Sequence, residues 1–353
     1  MKIRLRHMLG SGAIAFVLAA VPMAHAADIA LKETGSTLLF PLFQSWIAGY
    51  KSVAPDIDLT AASTGSSAGN QAAIAGSAAI GASDAYLSDE VAARHPNILD
   101  IPLAISAVAI NYNLPGLNGT NLKLNGPTIA AIYSGAVTTW DDPAIKEMNP
   151  GVTLPHQTII PIRRADGSGT TFVFTQFLDF SAQKWEDNPG FGEVIAWPAV
   201  AGEKAGDGNE GVLQAVAATP YAIGYLGTSY ADQVAKAGLG TALIENQAGK
   251  FLLPTTQSIA DAADQLDPRT PPYERISLVY APGDNSYPLI NYEYAVVSKS
   301  QPDGATASAV RAFLRWAISA TGGNNEKYLG PVGFIPLPDF IRGLSEAQID
   351  KIR

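Results

Sequence analysis

The chain contains no cysteine. That absence excludes a disulfide framework, a thiolate metal site and a cysteine-linked lipid anchor. Histidine is scarce, with four in 353 residues and none at metal-ligand spacing, so neither a metal nor another cofactor is expected. Basic charge is also in deficit: 23 Lys and Arg face 32 Asp and Glu, for a formal charge of −9. Nucleic acid demands a basic face, so it is excluded as a partner. Docking on anionic lipid is disfavoured for the same reason. There is no long internal repeat and no low-complexity tract. Disulfides are not needed, because a chain this long buries a large core without them.

The N-terminus carries Lys2, Arg4 and Arg6, then the apolar run GAIAFVLAAVPMA, then Ala24-His25-Ala26. A basic start, a short apolar stretch and a small-x-small site describe a secretory signal peptide. A membrane span would need roughly 20 apolar residues. The mature chain is expected to begin at Ala27, and losing three basic and no acidic residues takes the formal charge from −9 to −12. The remaining length suggests two domains.

Beyond the leader, short strand-like runs alternate with helix-like runs. DIALKET, IDLTAAS, AIGASD, TIIPIRR and YAIGYLG read as strands; PLFQSWIAGYKSV, NQAAIAGSA, TIAAIYSG, TTFVFTQFLDF, SIADAADQL and ATASAVRAFLRWAIS read as helices. The alternation predicts α/β architecture with largely parallel sheets. Two strand runs, Ile101 to Leu114 and Tyr287 to Ser298, are unusually long. Either they pass from one domain to another, making the domains discontinuous, or each is one long strand in one large sheet.

Three places share one grammar, an extended run, then Gly-Ser-x, then a helix. They are Gly35-Ser36-Thr37, Gly65-Ser66-Ser67 and Gly167-Ser168-Gly169. A helix start presents free N–H groups and the positive end of the peptide dipoles, so it is a ready anion site. Each one alone reads as a helix cap, the commonest use of Ser or Thr there; the three together with Arg164 point to an anion. Arg164 adds a rigid fork that matches two oxyanion oxygens. Asp166, two residues on, lies on the same side of an extended backbone and can hold that fork. Otherwise the pair is an ordinary surface ion pair. Arg163 points the other way and is expected to be solvated. Asp84 follows a short apolar strand, where it serves either as a helix cap or as an acceptor. A carboxylate facing the same pocket repels an anion unless the anion carries a proton. Phosphate carries one at neutral pH and sulfate does not, so the acceptor selects between them.

ETGSTLLFPLFQSW, STGSSAG, IGASDAYLSDE, INYNLPG, YSGAVTTWDDPAIKEMNPG and RRADGSGTTFVFTQFL, in this order, resemble the substrate-binding protein of bacterial phosphate ABC transporters, most closely its mycobacterial-type members. The likeness runs from about Glu33 to the end, through YAIGYLG, FLLP, YPLINYEYAVV and FLRWAI. It implies the type II periplasmic-binding-protein fold, in which two α/β lobes joined by two hinge crossings close over one desolvated phosphate. Lobe I would be residues 27–106 plus 289–353, and lobe II residues 107–288. The resemblance implies donors at Thr37, the Leu38 amide, Ser66, Arg164, Ser168, Gly169 and Thr170, with Asp84 as acceptor and Asp166 orienting the arginine. It also implies the permease and ATPase subunits of a transporter as partners, and a monomer with no enzymatic activity. The lipobox cysteine of mycobacterial-type members is missing, which favours a free periplasmic form.

A rival reading starts from GSSAG, Gly65 to Gly69, which matches the nucleophile elbow of serine hydrolases. Ser67 would then be the nucleophile, with His95 or His156 as its base, but no HGGG-like oxyanion loop accompanies it. Trp46, Trp140, Trp185, Trp197 and Trp316 invite a sugar-stacking reading, though their spacing suits a core. The sequon at Asn118 has little meaning in a bacterial periplasm.

Overall fold

A computed structural model describes residues 29–353; the expected leader and its Ala27 boundary lie outside them. Eight strands form the main path: β1 (Ile29–Gly35), β2 (Ile57–Thr60), β3 (Ile80–Ser83), β4 (Ile98–Tyr112), β5 (Ile160–Arg164), β6 (Lys204–Gly206), β7 (Ala222–Gly227) and β8 (Ile290–Ser298). They hydrogen-bond in the order β2-β1-β3-β8-β4-β7-β5-β6. Six helices matter below: α1 (Phe40–Tyr50), α2 (Ser66–Ala75), α3 (Gly169–Ser181), α4 (Gly208–Ala218), α5 (Thr256–Leu266) and α6 (Gly304–Ile318). Residues 123–124, 243–245 and 251–252 make a separate three-stranded sheet.

The strand β4 is the spine. Its run ILDIPLAISAVAINY is buried at every position but the first, as a strand covered on both faces must be. Residues 98–107 pair with β8, and residues 108–112 pair with β7. One continuous strand therefore belongs to two half-sheets. The chain returns beside it, where Ile290 pairs with Ala107 and the Val108 amide donates to Leu289 O at 2.9 Å. The pattern suggested a strand from Tyr287, but β8 begins at Ile290, because Pro288 has no N–H to give a ladder.

The parallel expectation holds only at the two ends of the path. There β1 runs parallel to β2 and β3, and β5 parallel to β6 and β7. The centre is antiparallel, with β8 opposed to β3 and β4, and β4 opposed to β7. Alternation of strand and helix predicts local crossovers. It does not predict the direction of a strand that returns from a remote segment.

Each half has its own aromatic packing. Phe43, Trp46, Tyr50, Phe313 and Trp316 join α1 to α6. On the other side Phe174 of α3 stacks on Tyr225 of β7 at 4.2 Å between centroids. Trp46, Trp140 and Trp185 are fully buried, while Trp197 and Trp316 pack on the core from its edge. The tryptophans are thus accounted for by packing.

Candidate anion-binding site

The three Gly-Ser turns meet between the half-sheets. The first enters from β1, where Ser36 Oγ accepts the Leu38 and Leu39 amides at 3.1 and 3.0 Å. The second opens α2, with Gly65 at φ 90°, a conformation that penalises any side chain. A Cβ there would also lie 2.6 Å from Asp166 Oδ2, which belongs to the opposite half. The third opens α3, where the Ser168 hydroxyl accepts the Thr171 amide at 3.1 Å. Ser168 is thus a helix cap, as the simpler reading allowed, yet its hydroxyl hydrogen remains available for another acceptor. The Gly169 and Thr170 amides lie in the first helical turn, ahead of any intrahelical acceptor. Glycine at 169 has a steric reason: a Cβ would sit 2.6 Å from Ser66 Oγ and 2.7 Å from Asp84 Cβ. The start of α3 thus abuts the end of β3 with no room for a side chain.

Arg164 ends β5 with 3% of its surface exposed. Its Nε donates to Asp166 Oδ1 at 2.7 Å, and Nη2 donates to Oδ2 of the same carboxylate. Nη1 donates to Thr170 Oγ1 at 3.3 Å. The backbone around it is fixed from the core, since the Arg164 amide donates to the Tyr225 hydroxyl at 3.0 Å. Burial works to raise the Asp166 pKa. The hydrogen bonds and charge of Arg164, helped by the Gly208 amide at 3.1 Å, overcome it and hold the carboxyl below its usual range. Arg163 faces away and reaches Glu203 at 3.5 Å, so it is half-buried rather than fully solvated.

Asp84 is 1% exposed at the end of β3. It caps no helix, because the next one is capped by Ser88. Its Oδ1 accepts the Ser36 hydroxyl, and its Oδ2 accepts the Thr170 hydroxyl at 2.8 Å. The Ser66 hydroxyl accepts the Asp84 amide at 3.4 Å. Burial raises the Asp84 pKa, while the two hydroxyls and the Arg164 charge pull it back. The arrangement offers a tetrahedral anion fixed donors on several sides and one carboxylate acceptor, in a place from which water is largely excluded.

The PBP superfamily domain model matches residues 22–321. The phosphate-binding protein PstS of Methanocaldococcus jannaschii is 31% identical over 343 residues, which cover 92% of this chain and 87% of that protein. The chain belongs to the PstS family. The phosphate-binding protein PstS 3 of Mycobacterium leprae is 33% identical over 321 residues, covering 88% of this chain and 83% of that protein. A high-affinity periplasmic phosphate-binding protein, PfluDING, solved with phosphate bound, superposes with a TM-score of 0.71 at 20% identity, over 90% of this chain and 93% of that one. The architecture is the two-lobed periplasmic-binding-protein fold.

The cluster of buried polar groups between the half-sheets includes residues that the sequence reading missed. Asn209 is fully buried at the start of α4. Its amide nitrogens, backbone and side-chain, donate to Thr37 Oγ1 at 3.0 and 2.7 Å, and the side chain reaches Thr170 Oγ1 at 3.3 Å. The signal was present in GDGNEGVLQAV, a fourth glycine turn opening a helix, which lacks only the serine. Ser36 was named in the first motif but given no role of its own, although its hydroxyl binds Asp84. Glu193 comes from a loop with no regular pattern. Its backbone oxygen accepts the Ser168 amide at 3.0 Å, and its carboxyl takes Ser67 Oγ at 2.6 Å and Asn70 Nδ2 at 3.0 Å. Burial, with the charge of Asp84 adding to it, pushes the Glu193 carboxyl up. The Ser67 hydroxyl is therefore committed to a carboxyl, and His156 pairs with Asp141 at 3.0 Å on the surface. His95 lines a groove with Ser67, but among the described residues neither His95 nor His156 hydrogen-bonds to that serine, so no triad is formed.

Proposed function

We propose that this PstS-family chain captures inorganic phosphate in the periplasm and delivers it, as a free monomer, to the permease and ATPase subunits of an ABC transporter. It acts by binding and closure, and not as an enzyme. Lobe I comprises residues 27–106 and 289–353, and lobe II residues 107–288. The two crossings of the main sheet near 107 and 289 act as hinges. Thr37, the Leu38 amide and Ser66 donate from lobe I. Arg164, Ser168, Gly169 and Thr170 donate from lobe II, with Asp166 keeping the guanidinium in plane. Asp84 accepts the hydrogen that phosphate carries.

One observation supports this reading above the rest. A carboxylate sits buried among hydroxyls and beside an arginine, with the N-terminus of α3 packed against it through Gly169. Such a site penalises sulfate, whose lone pairs would face those of Asp84 unpaired. It also answers how a chain of formal charge −9 can hold an anion. Net charge acts at long range and is screened by salt, whereas short bonds in a closed cleft are screened little. Even the mouth of the cleft, a cavity of about 190 Å³, is bounded by the acids Asp166, Asp207 and Glu210.

The test is titration calorimetry on ligand-stripped protein with phosphate, sulfate and a simple ester, combined with small-angle scattering. Phosphate is expected to bind with exclusion of sulfate and to reduce the radius of gyration. Equal affinity for both anions, or no binding of phosphate, would overturn the proposal.

A further inference from the structure

A second carboxyl lies directly behind Asp84. Glu293 is on β8, and its burial is complete. The register explains its position. Tyr294 pairs with Ser83 and Ala295 with Ala82, so one step further along, Glu293 stands opposite Asp84. The Asn291 side chain closes that end by donating to Asp84 O at 2.8 Å. On the other flank the β8–β4 register shifts between Glu293 and Tyr294, opposite Pro102 and Ala104. Pro102 cannot donate to a ladder, so the irregularity falls there, and a bulge re-aims the neighbouring side chain. The displaced Leu103 carbonyl is taken by the Asn324 side chain at 2.7 Å.

Glu293 Oε1 accepts the Ser106 hydroxyl, and Oε2 has no donor among the described residues. Both carboxyls are buried, and the register sets them side by side, near enough for each to act on the other. Two ionised carboxylates in contact in a dry site repel strongly, and one of them keeps a proton. Their surroundings decide which. Asp84 has the Arg164 charge and the Ser36 and Thr170 hydroxyls. Among the described residues Glu293 has one hydroxyl and no cation. Burial and then the Asp84 charge accordingly push the Glu293 carboxyl well above its ordinary range. The other elements packed on β8 add little. The helix α2 carries no charged residue, and in α5 Asp264 is exposed while Asp261 takes the Gln257 side chain at 2.8 Å. From β4, Asp100 stands opposite Val296, three residues away, and in the facing loop Glu193 feels the charge of Asp84.

We propose that Glu293 is a positioning residue for anion selection: a neutral carboxylic acid whose proton lies on Oε2 and is donated to Asp84. This rests on the phosphate reading of the site. A carboxylate offers about four lone-pair positions. Ser36, Thr170 and Glu293 fill three and leave one for the hydrogen of the guest. The bond from Glu293 also keeps Asp84 ionised, which is the state that can accept.

The experiment compares wild type, Glu293→Gln and Glu293→Met by phosphate calorimetry across the acid range, with an infrared difference spectrum of wild type against Glu293→Gln. The titration of phosphate itself is common to all three proteins. Gln keeps a donor, so its affinity is expected within about threefold of wild type and its acid limb unshifted. Met removes the donor, so Asp84 takes up a proton more readily and the acid limb moves to higher pH. The infrared spectrum should lose a carboxylic-acid C=O band at neutral pH in Glu293→Gln. An ionised Glu293 predicts the opposite sign: both variants would relieve repulsion, move the limb to lower pH and lose only a carboxylate band. That result overturns the proposal, as does an unchanged profile in Met or failure of Gln to fold or bind. If Met does not fold, Gln and the infrared band decide. Wild type failing to bind phosphate would sink the functional reading, while the band would still report the state of Glu293.

Discussion

Asp84 and Asp166 are both buried or nearly so, both belong to the same cleft, and their proton affinities are driven in opposite directions. Asp166 faces a guanidinium with two bonds and an amide with a third, so its carboxyl is held low. Asp84 receives the Ser36 and Thr170 hydroxyls and no guanidinium bond among the described residues, and feels Arg164 only as a charge, so burial prevails and its carboxyl is raised. The difference separates two tasks. Asp166 spends its lone pairs holding a donor in position. Asp84 keeps acceptor capacity that an incoming hydrogen can use. Glu274 is a useful third case. Burial pushes its carboxyl up to about 8, yet its partner is Ser345, outside the cleft. A raised carboxyl is therefore not by itself a sign of a binding site; the donors around it are.

The largest expected effect comes from removing the cation that the two aspartates share. Arg164→Ala should weaken phosphate binding at least ~100-fold, since a charge-assisted bond contributes about 1.5–3 kcal/mol and the fork can form two. It should also destabilise the fold by stranding Asp166; calorimetry and thermal melts check both. Wild-type affinity would mean that the fork serves structure alone.

Asp84→Asn sharpens the contrast at the acceptor. Phosphate affinity should fall about tenfold to a hundredfold, because an amide donor then meets the phosphate hydrogen at a cost of about 1–3 kcal/mol. Sulfate should gain relative to phosphate. If the ratio of the two affinities does not change, Asp84 is not the discriminating group.

Ser67→Ala tests closure rather than either aspartate. It removes the 2.6 Å bond to Glu193 across the cleft, and should weaken phosphate binding by a few-fold, about 0.5–1.5 kcal/mol. Neither protein should hydrolyse a simple ester. Esterase activity present in wild type and lost in the variant would restore the hydrolase reading.

Glu274→Gln should have the smallest effect on binding, and its influence lies in stability. The folded carboxyl titrates at about 8 against an ordinary value of 4.5. Between those values the folded state holds a proton that the unfolded state has released, so wild-type stability should fall as pH rises through the window. The variant should flatten that slope and melt higher than wild type near the top of it. Parallel pH–melting curves for the two proteins would refute the assignment.

Much of the fold was legible in periodicity. The runs that gave β1, α1, β3, α3 and α6 have strand or helix patterns that tertiary contacts had no reason to override. What misled was direction. Alternation implied parallel pairing, and the antiparallel centre depends on β8 returning from some 180 residues away in sequence to lie beside β4. Candidate residues inside turn motifs were visible because three Gly-Ser turns and an Arg-x-Asp pair occur in one chain, although each alone has a common use as a cap or a surface ion pair. Asn209 was missed because its turn lacks serine, and Glu193 because its loop has no pattern.

The sequence alone determined which turns end in free amides, which arginine has an aspartate two residues on, and that no thiol chemistry is available. These are local properties, set within a few residues by backbone geometry and side-chain type. Only the tertiary structure decided that the turns face one another, that Gly169 lets α3 reach Asp84, and that Glu293 stands behind it. Those depend on strand register across the sheet, where a shift of one residue would turn Glu293 to the opposite face.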